Sequence, residues 1–161
     1  MLLRICCVAA LAFPLCSAKI IVVKAARLFD GKSGTLQRPG VVVVNGARIE
    51  GVGPGAAVPA DAEVHDLGDA TLLPGFMDAH THLGFEGSAD NRQDRIERIE
   101  MTTAEQALRA ATYARKTLLA GFTTVRDLGS SDFIDVGLRN AIERGWAVGP
   151  RILAAVRGIG T

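Results

Sequence analysis

From Phe76 onward the sequence alternates β-type and helical runs, and this order restricts the fold more than any single residue does. Residues 76–82, 122–128 and 151–156 are apolar or β-branched and read as strands. Residues 103–120 and 132–144 carry helical spacing. Strand, helix, strand, helix, strand implies parallel strands joined by right-handed helical crossovers, hence an α/β architecture. The first helix has its start written into it, because Thr102 with Glu105, or Thr103 with Gln106, has capping-box spacing. Ala104, Ala107, Leu108, Ala111 and Leu118 are expected on its packed face, and Gly121 is expected just past its end. Asp132 is the expected N-cap of the second helix. Between the first strand and the first helix, residues 86–100 are charged and read as a flexible loop or a short solvated helix, with Glu86 an exposed charge.

The preceding half follows a different rule. Ile20-Ile21-Val22-Val23 begins a strand closed by Asp30-Gly31 and Ser33-Gly34. Val41 to Val44, then Asn45-Gly46, then residues 47–52 read as a hairpin with a type I′ turn. Pro54 and Pro59 mark a loop, and residues 64–67 and 70–73 read as short strands. Gly51-Val52-Gly53-Pro54-Gly55 lacks the Lys-Ser/Thr and the following helix that a phosphate loop needs, so it reads as a tight turn. His65 reads as a surface imidazole and Trp146 as a packing residue.

The segment Leu73-Pro74-Gly75-Phe76-Met77-Asp78-Ala79-His80-Thr81-His82-Leu83 carries the chemistry. Alternate side chains of a strand share a face, so Asp78, His80 and His82 are expected to point one way. Two imidazoles side by side suit a divalent ion such as zinc, whose bonds to histidine nitrogen run about 2.0–2.1 Å. A bare His-x-His has a plainer alternative, two histidines hydrogen-bonded or exposed on one strand face. In a parallel barrel, functional groups collect at the C-terminal ends of the strands, where this pair sits. Asp78 and Asp127, which ends the second strand, are candidates for holding a metal ligand from behind; each has a plain structural alternative.

Together with Ala120-Gly121-Phe122-Thr123-Thr124-Val125-Arg126-Asp127-Leu128-Gly129 and Gly149-Pro150-Arg151-Ile152, this element resembles the amidohydrolase superfamily. Within it, the similarity is to the secreted group near imidazolonepropionase and the Xaa-Pro dipeptidase-like enzymes. The resemblance implies a small N-terminal β-sandwich over residues 19–73, completed elsewhere by the C-terminal segment. Residues 74–161 would then be the first three strands of a (β/α)8 TIM-type barrel, truncated. It also implies that His80 and His82 bind a divalent metal, with zinc expected and one or two ions in a complete enzyme. The implied reaction is hydrolysis of a carbon–nitrogen bond in a dipeptide, acyl amino acid or related amide, by a metal-activated water. Deamination or opening of a cyclic amide is the alternative within the superfamily, and a catalytically incomplete remnant the alternative outside it.

The family pattern further calls for a lysine, later histidines and a late aspartate. No histidine follows His82 and no lysine follows Lys116, so no catalytic residue is assigned within this chain. The expectation is a truncated product without activity of its own. The implied partners are a small-molecule or peptide substrate and, in a complete enzyme, an oligomer.

Charge excludes one class. A formal net charge of +1, with no basic cluster interleaved with aromatics, gives no basis for nucleic-acid binding. The N-terminus points to a compartment: Arg4, an apolar run over residues 5–15, then Cys16-Ser17-Ala18 has the form of a secretory signal. Residues 1–18 are therefore expected to be a signal peptide. That run falls short of the roughly 20 residues of a spanning helix, so no stable membrane anchor is expected. The protein is expected to be exported, periplasmic or secreted. All three cysteines, Cys6, Cys7 and Cys16, lie in that segment, which leaves none for disulfides in a processed chain.

Overall fold

The structure, a computed structural model, describes residues 19–158; the expected signal peptide and its cysteines lie outside the described residues. The chain divides into two compact units, with the division between Pro74 and Gly75. Among the described residues, no helix is long and apolar enough to cross a membrane.

The first unit holds two sheets. β1 (Ile20–Ala25) pairs antiparallel with β4 (Gly40–Asn45) and parallel with β6 (Glu63–Asp66), and β4 carries β5 (Arg48–Val52) on its other side. β2 (Arg27–Phe29) lies between β3 (Leu36–Gln37) and β7 (Thr71–Leu72) in the second sheet. The stretch expected to be one strand is therefore two, broken at Ala26, whose N–H donates to the Gly68 carbonyl instead of continuing the ladder. Val22, Val41 and Val43 are buried together, and removing such side chains from water is worth about 1.5–3 kcal/mol each. The hairpin forms where the sequence placed it, with a different turn. Gly46 and Ala47 connect Asn45 to Arg48, and of the turn residues Gly46 alone has positive φ, at 56°. That excludes the type I′ geometry, which needs two consecutive positive φ values.

The second unit is mixed α/β. β8 (Phe76–Thr81), β9 (Phe122–Asp127) and β10 (Arg151–Ala154) form a parallel sheet in the order β10-β9-β8. α2 (Thr103–Leu119) and α3 (Ile134–Glu143) connect them, and α1 (Asn91–Glu100) fills the charged stretch after β8. The core joins sheet to helices: Val125 and Ile152 from the strands, Leu83, Ala110 and Ala114, Ile134 and Leu138.

α2 begins at the Thr102 capping box, which is present in full: the Glu105 N–H donates to Thr102 Oγ1, and the Thr102 N–H donates to Glu105 Oε2 at 2.8 Å. It ends at Ala120, with Gly121 following at a φ of 99° that a side chain would resist. Its packed face is rotated from expectation. Ala110 and Ala114 are the buried positions and Leu108 is 72% exposed, because small side chains permit closer approach of helix to sheet than the leucine ridge does. α3 also differs. Its N-cap is Phe133 in a left-handed conformation, without a side-chain cap, and Asp132 is left-handed as well. Trp146 is exposed, with the Arg144 guanidinium 4.9 Å above its ring, rather than packed away.

Candidate metal site at the end of the first parallel strand

β8 delivers His80 and His82 to the C-terminal end of the sheet. Their ring centroids are 5.5 Å apart, with planes at 74°. His80 is exposed and His82 half-buried. Two imidazoles bound to one tetrahedral ion at about 2.0–2.1 Å would have centroids roughly 5 Å apart, so the observed spacing suits a shared ion.

The simple alternation from Asp78 to the histidines is interrupted, while Asp78 and His82 line one cleft. Asp78 pairs with Val125 and Thr81 with Asp127, three steps along β8 against two along β9. One residue is therefore extra, and such a bulge resets which face the following side chains take. The Asp78 carboxylate turns back on its own strand, its Oδ1 accepting the His80 N–H at 2.9 Å. It thus holds the backbone of a candidate ligand.

Asp127 organises the other histidine. It is 1% exposed, and its two oxygens accept two backbone donors: Leu83 N–H at 2.7 Å on Oδ2 and Gly129 N–H at 3.1 Å on Oδ1. The Gly129 carbonyl in turn lies 3.2 Å from His82 Nδ1. A carbonyl can only accept, so this contact assigns the proton to Nδ1 and leaves the Nε2 lone pair for a cation. A ring nitrogen anchored in this manner is the usual backing of a metal-bound histidine. Phe85 stacks on the same imidazole, with centroids 5.2 Å apart. Burial pushes the Asp127 carboxyl above the ordinary range, opposed by the Leu83 and Gly129 N–H donors; the neighbouring Asp135 adds to the rise and His82 opposes it.

The expected surface imidazole belongs to the first unit. His65 is half-exposed on β6, with Nε2 3.0 Å from Glu63. Among the described residues no three His, Cys, Asp or Glu side chains converge on a common point. The donor set present is two nitrogens, of the right type and spacing for a divalent ion but half of a tetrahedral shell.

A cleft of about 810 Å³ opens beside His82, lined also by Phe85, Arg95, Ile99, Ser130, Asp132 and Arg157. Sequence reasoning did not single out Asp135. It is 1% exposed and binds the Ser130 hydroxyl and the Val156 N–H, tying the loop after β9 to the chain after β10. A lone aspartate near a helix start carries no signal that distinguishes this from an ordinary cap.

The sequence profile of the amidohydrolase family matches residues 71–158, more than half of the 161 residues and the whole of this site. The chain belongs to the amidohydrolase family. This amidohydrolase chain is 38% identical over 92 residues to an imidazolonepropionase of Arthrobacter sp. (strain FB24), a stretch that covers 57% of the chain and 20% of that protein. Over 50 residues it is 48% identical to an adenine deaminase of Edwardsiella ictaluri (strain 93-146), covering 31% of the chain and 8% of that protein. Among solved structures, a Xaa-Pro dipeptidase with bound methionine in its active site superposes with a TM-score of 0.72 at 34% identity. That match covers 88% of the chain and 34% of the dipeptidase. The chain thus spans about a fifth of the curated imidazolonepropionase and a third of the solved dipeptidase.

Proposed function

We propose that this chain forms the metal-holding start of a hydrolase of carbon–nitrogen bonds. In this proposal β8, β9 and β10 are the first three strands of a (β/α)8 barrel, and the sheets of residues 19–73 are part of a small β-sandwich. His80 and His82 hold a divalent ion, for which zinc is the best chemical match to imidazole nitrogen. The observation that carries the proposal is the pair of histidine rings 5.5 Å apart at the strand end, with His82 Nδ1 engaged by the Gly129 carbonyl, which makes Nε2 the ring's acceptor nitrogen.

A bound divalent ion would supply Lewis acidity toward an amide carbonyl and make water a nucleophile at neutral pH. The chain's own residues set the frame for that chemistry. Asp78 fixes the His80 amide, Asp127 fixes Leu83 and Gly129, and Gly129 fixes the His82 ring. The substrate class is an amide of amino-acid size, a dipeptide or acyl amino acid, supported by the likeness to the Xaa-Pro dipeptidase structure. Cyclic-amide opening or deamination is the second reading, favoured by the imidazolonepropionase and adenine deaminase relatives. Export rests on the sequence of residues 1–18 alone.

Zinc titration of the full chain, followed through its histidine ring nitrogens by NMR, tests the site. His80 and His82 should shift together while His65 stays still, and His80→Asn or His82→Asn should each abolish the response. A histidine pair that ignores zinc, or responds no more than His65, overturns the proposal. With two nitrogen ligands, binding should be weak, and zinc-dependent amide hydrolysis by the chain alone should be undetectable. Hydrolysis abolished by a chelator and restored by zinc would show that a fuller site exists.

A further inference from the structure

Val156 has a φ of 71°, a left-handed conformation that a β-branched residue adopts only when its surroundings force it. The force is visible. Its N–H donates at 2.8 Å to Oδ2 of Asp135, which is 1% exposed and is itself held by the Ser130 hydroxyl at 3.1 Å and the Val136 N–H at 2.9 Å. The next residue, Arg157, closes a tight turn with its N–H on the Ala155 carbonyl at 2.8 Å. It lies against Gly129, where an added Cβ would come within 2.5 Å of Gly158 N and 2.9 Å of the Arg157 carbonyl carbon. Gly129 is the residue whose carbonyl meets His82. A strained backbone therefore fixes Arg157 on the wall of the cleft that His82 also lines.

Strain of this kind is held in place by the rest of a structure and clusters where a side chain must be aimed. Among the described residues no ion pair consumes the charge so placed. The ion pairs among the described residues are Lys19–Glu63, Arg27–Asp69, His65–Glu63 and Arg109–Glu97, and none uses Arg157 or Arg95, the other guanidinium on the cleft wall. The one acid among the described residues on that wall, Asp132, has Oδ2 engaged by the Thr103 hydroxyl at 2.9 Å.

We propose that Arg157 is a specificity-determining residue that binds a carboxylate of the substrate beside the histidine pair. A guanidinium fork matches a carboxylate in two parallel hydrogen bonds, and an anion held there would present an amide bond toward His80 and His82. The substrate class thereby narrows to amides bearing a free carboxylate, such as dipeptides and N-acyl amino acids. This rests on the reading of the histidine pair as the reacting end of the cleft.

The test uses the full chain without metal and two probes of equal size, N-acetyl-L-alanine and its uncharged amide, N-acetyl-L-alaninamide. Binding is followed through the backbone amides of Gly129 and Gly158. The carboxylate probe should bind about tenfold more tightly than the amide, the size expected of a charge-assisted pair. Arg157→Gln should erase that preference, and Arg157→Lys, which keeps the charge but loses the fork, should recover part of it. Equal binding of the two probes, no binding of either, or an unaltered preference in Arg157→Gln overturns the proposal. Since zinc is absent, the outcome is independent of the histidine titration, and either reading can fail alone.

Discussion

The Leu83 N–H donates to Asp127 Oδ2 at 2.7 Å across 44 residues of sequence. This bond ties the residue after His82 to the end of the neighbouring strand. The same carboxylate receives the Gly129 N–H, so one buried side chain fixes both the backbone that carries His82 and the carbonyl that orients its ring.

Asp127→Asn should therefore lower stability by about 2 kcal/mol, because an amide cannot accept from both donors and one buried N–H loses its partner. Urea unfolding of the wild type and the variant measures this. The His82 ring resonances should move as well, while those of His65 should not.

The acid response of that carboxyl has a definite sign. Burial raises its pKa above the ordinary 3.8, so between 3.8 and the raised value the folded chain binds a proton that the unfolded chain does not. Stability from this group falls as pH rises through that window and is lowest above it. The wild type's advantage over Asp127→Asn should accordingly shrink as pH rises there, measured by urea midpoints at successive pH values. Asp30 should behave oppositely. The Ser33 and Lys32 backbone donors hold it down to about 2, so its contribution is complete above 3.8 and fades as pH falls toward 2. A carboxyl-detected NMR titration separates the two.

Gly129→Ala should disturb the site more than its size suggests. Its φ of 120° disfavours a side chain, and the new Cβ would meet the Arg157–Gly158 backbone, which has no rotamer by which to retreat. A loss of about 2–3 kcal/mol is expected, together with displacement of the His82 resonances. An unchanged unfolding midpoint would contradict the close packing of these two loops.

Thr102→Ala removes one half of a capping box on an exposed helix end and should cost about 1 kcal/mol, with α2 fraying from its first turn. Amide hydrogen exchange at Glu105 and Gln106 reports it.

These effects divide between what was visible in the sequence and what was not. The α2 cap, the Gly121 stop, the hairpin, the strand–helix order after Phe76 and the histidine pair are encoded within short windows of chain. Helix caps, turn residues and apolar periodicity act over a few residues, and those residues are adjacent in sequence. The family resemblance rested on the same local elements.

Register and close approach were decided only on folding. The bulge in β8 between Asp78 and Thr81 arises from pairing with β9, more than 40 residues later. The break at Ala26 depends on Gly68, and the rotation of α2 onto Ala110 and Ala114 depends on how near the sheet can come. Asp127, Asp135 and Val156 acquire their roles from backbone donors and acceptors that meet only in the folded chain. Which donor a carboxylate finds is settled by distance in space, and a sequence fixes distance only along itself.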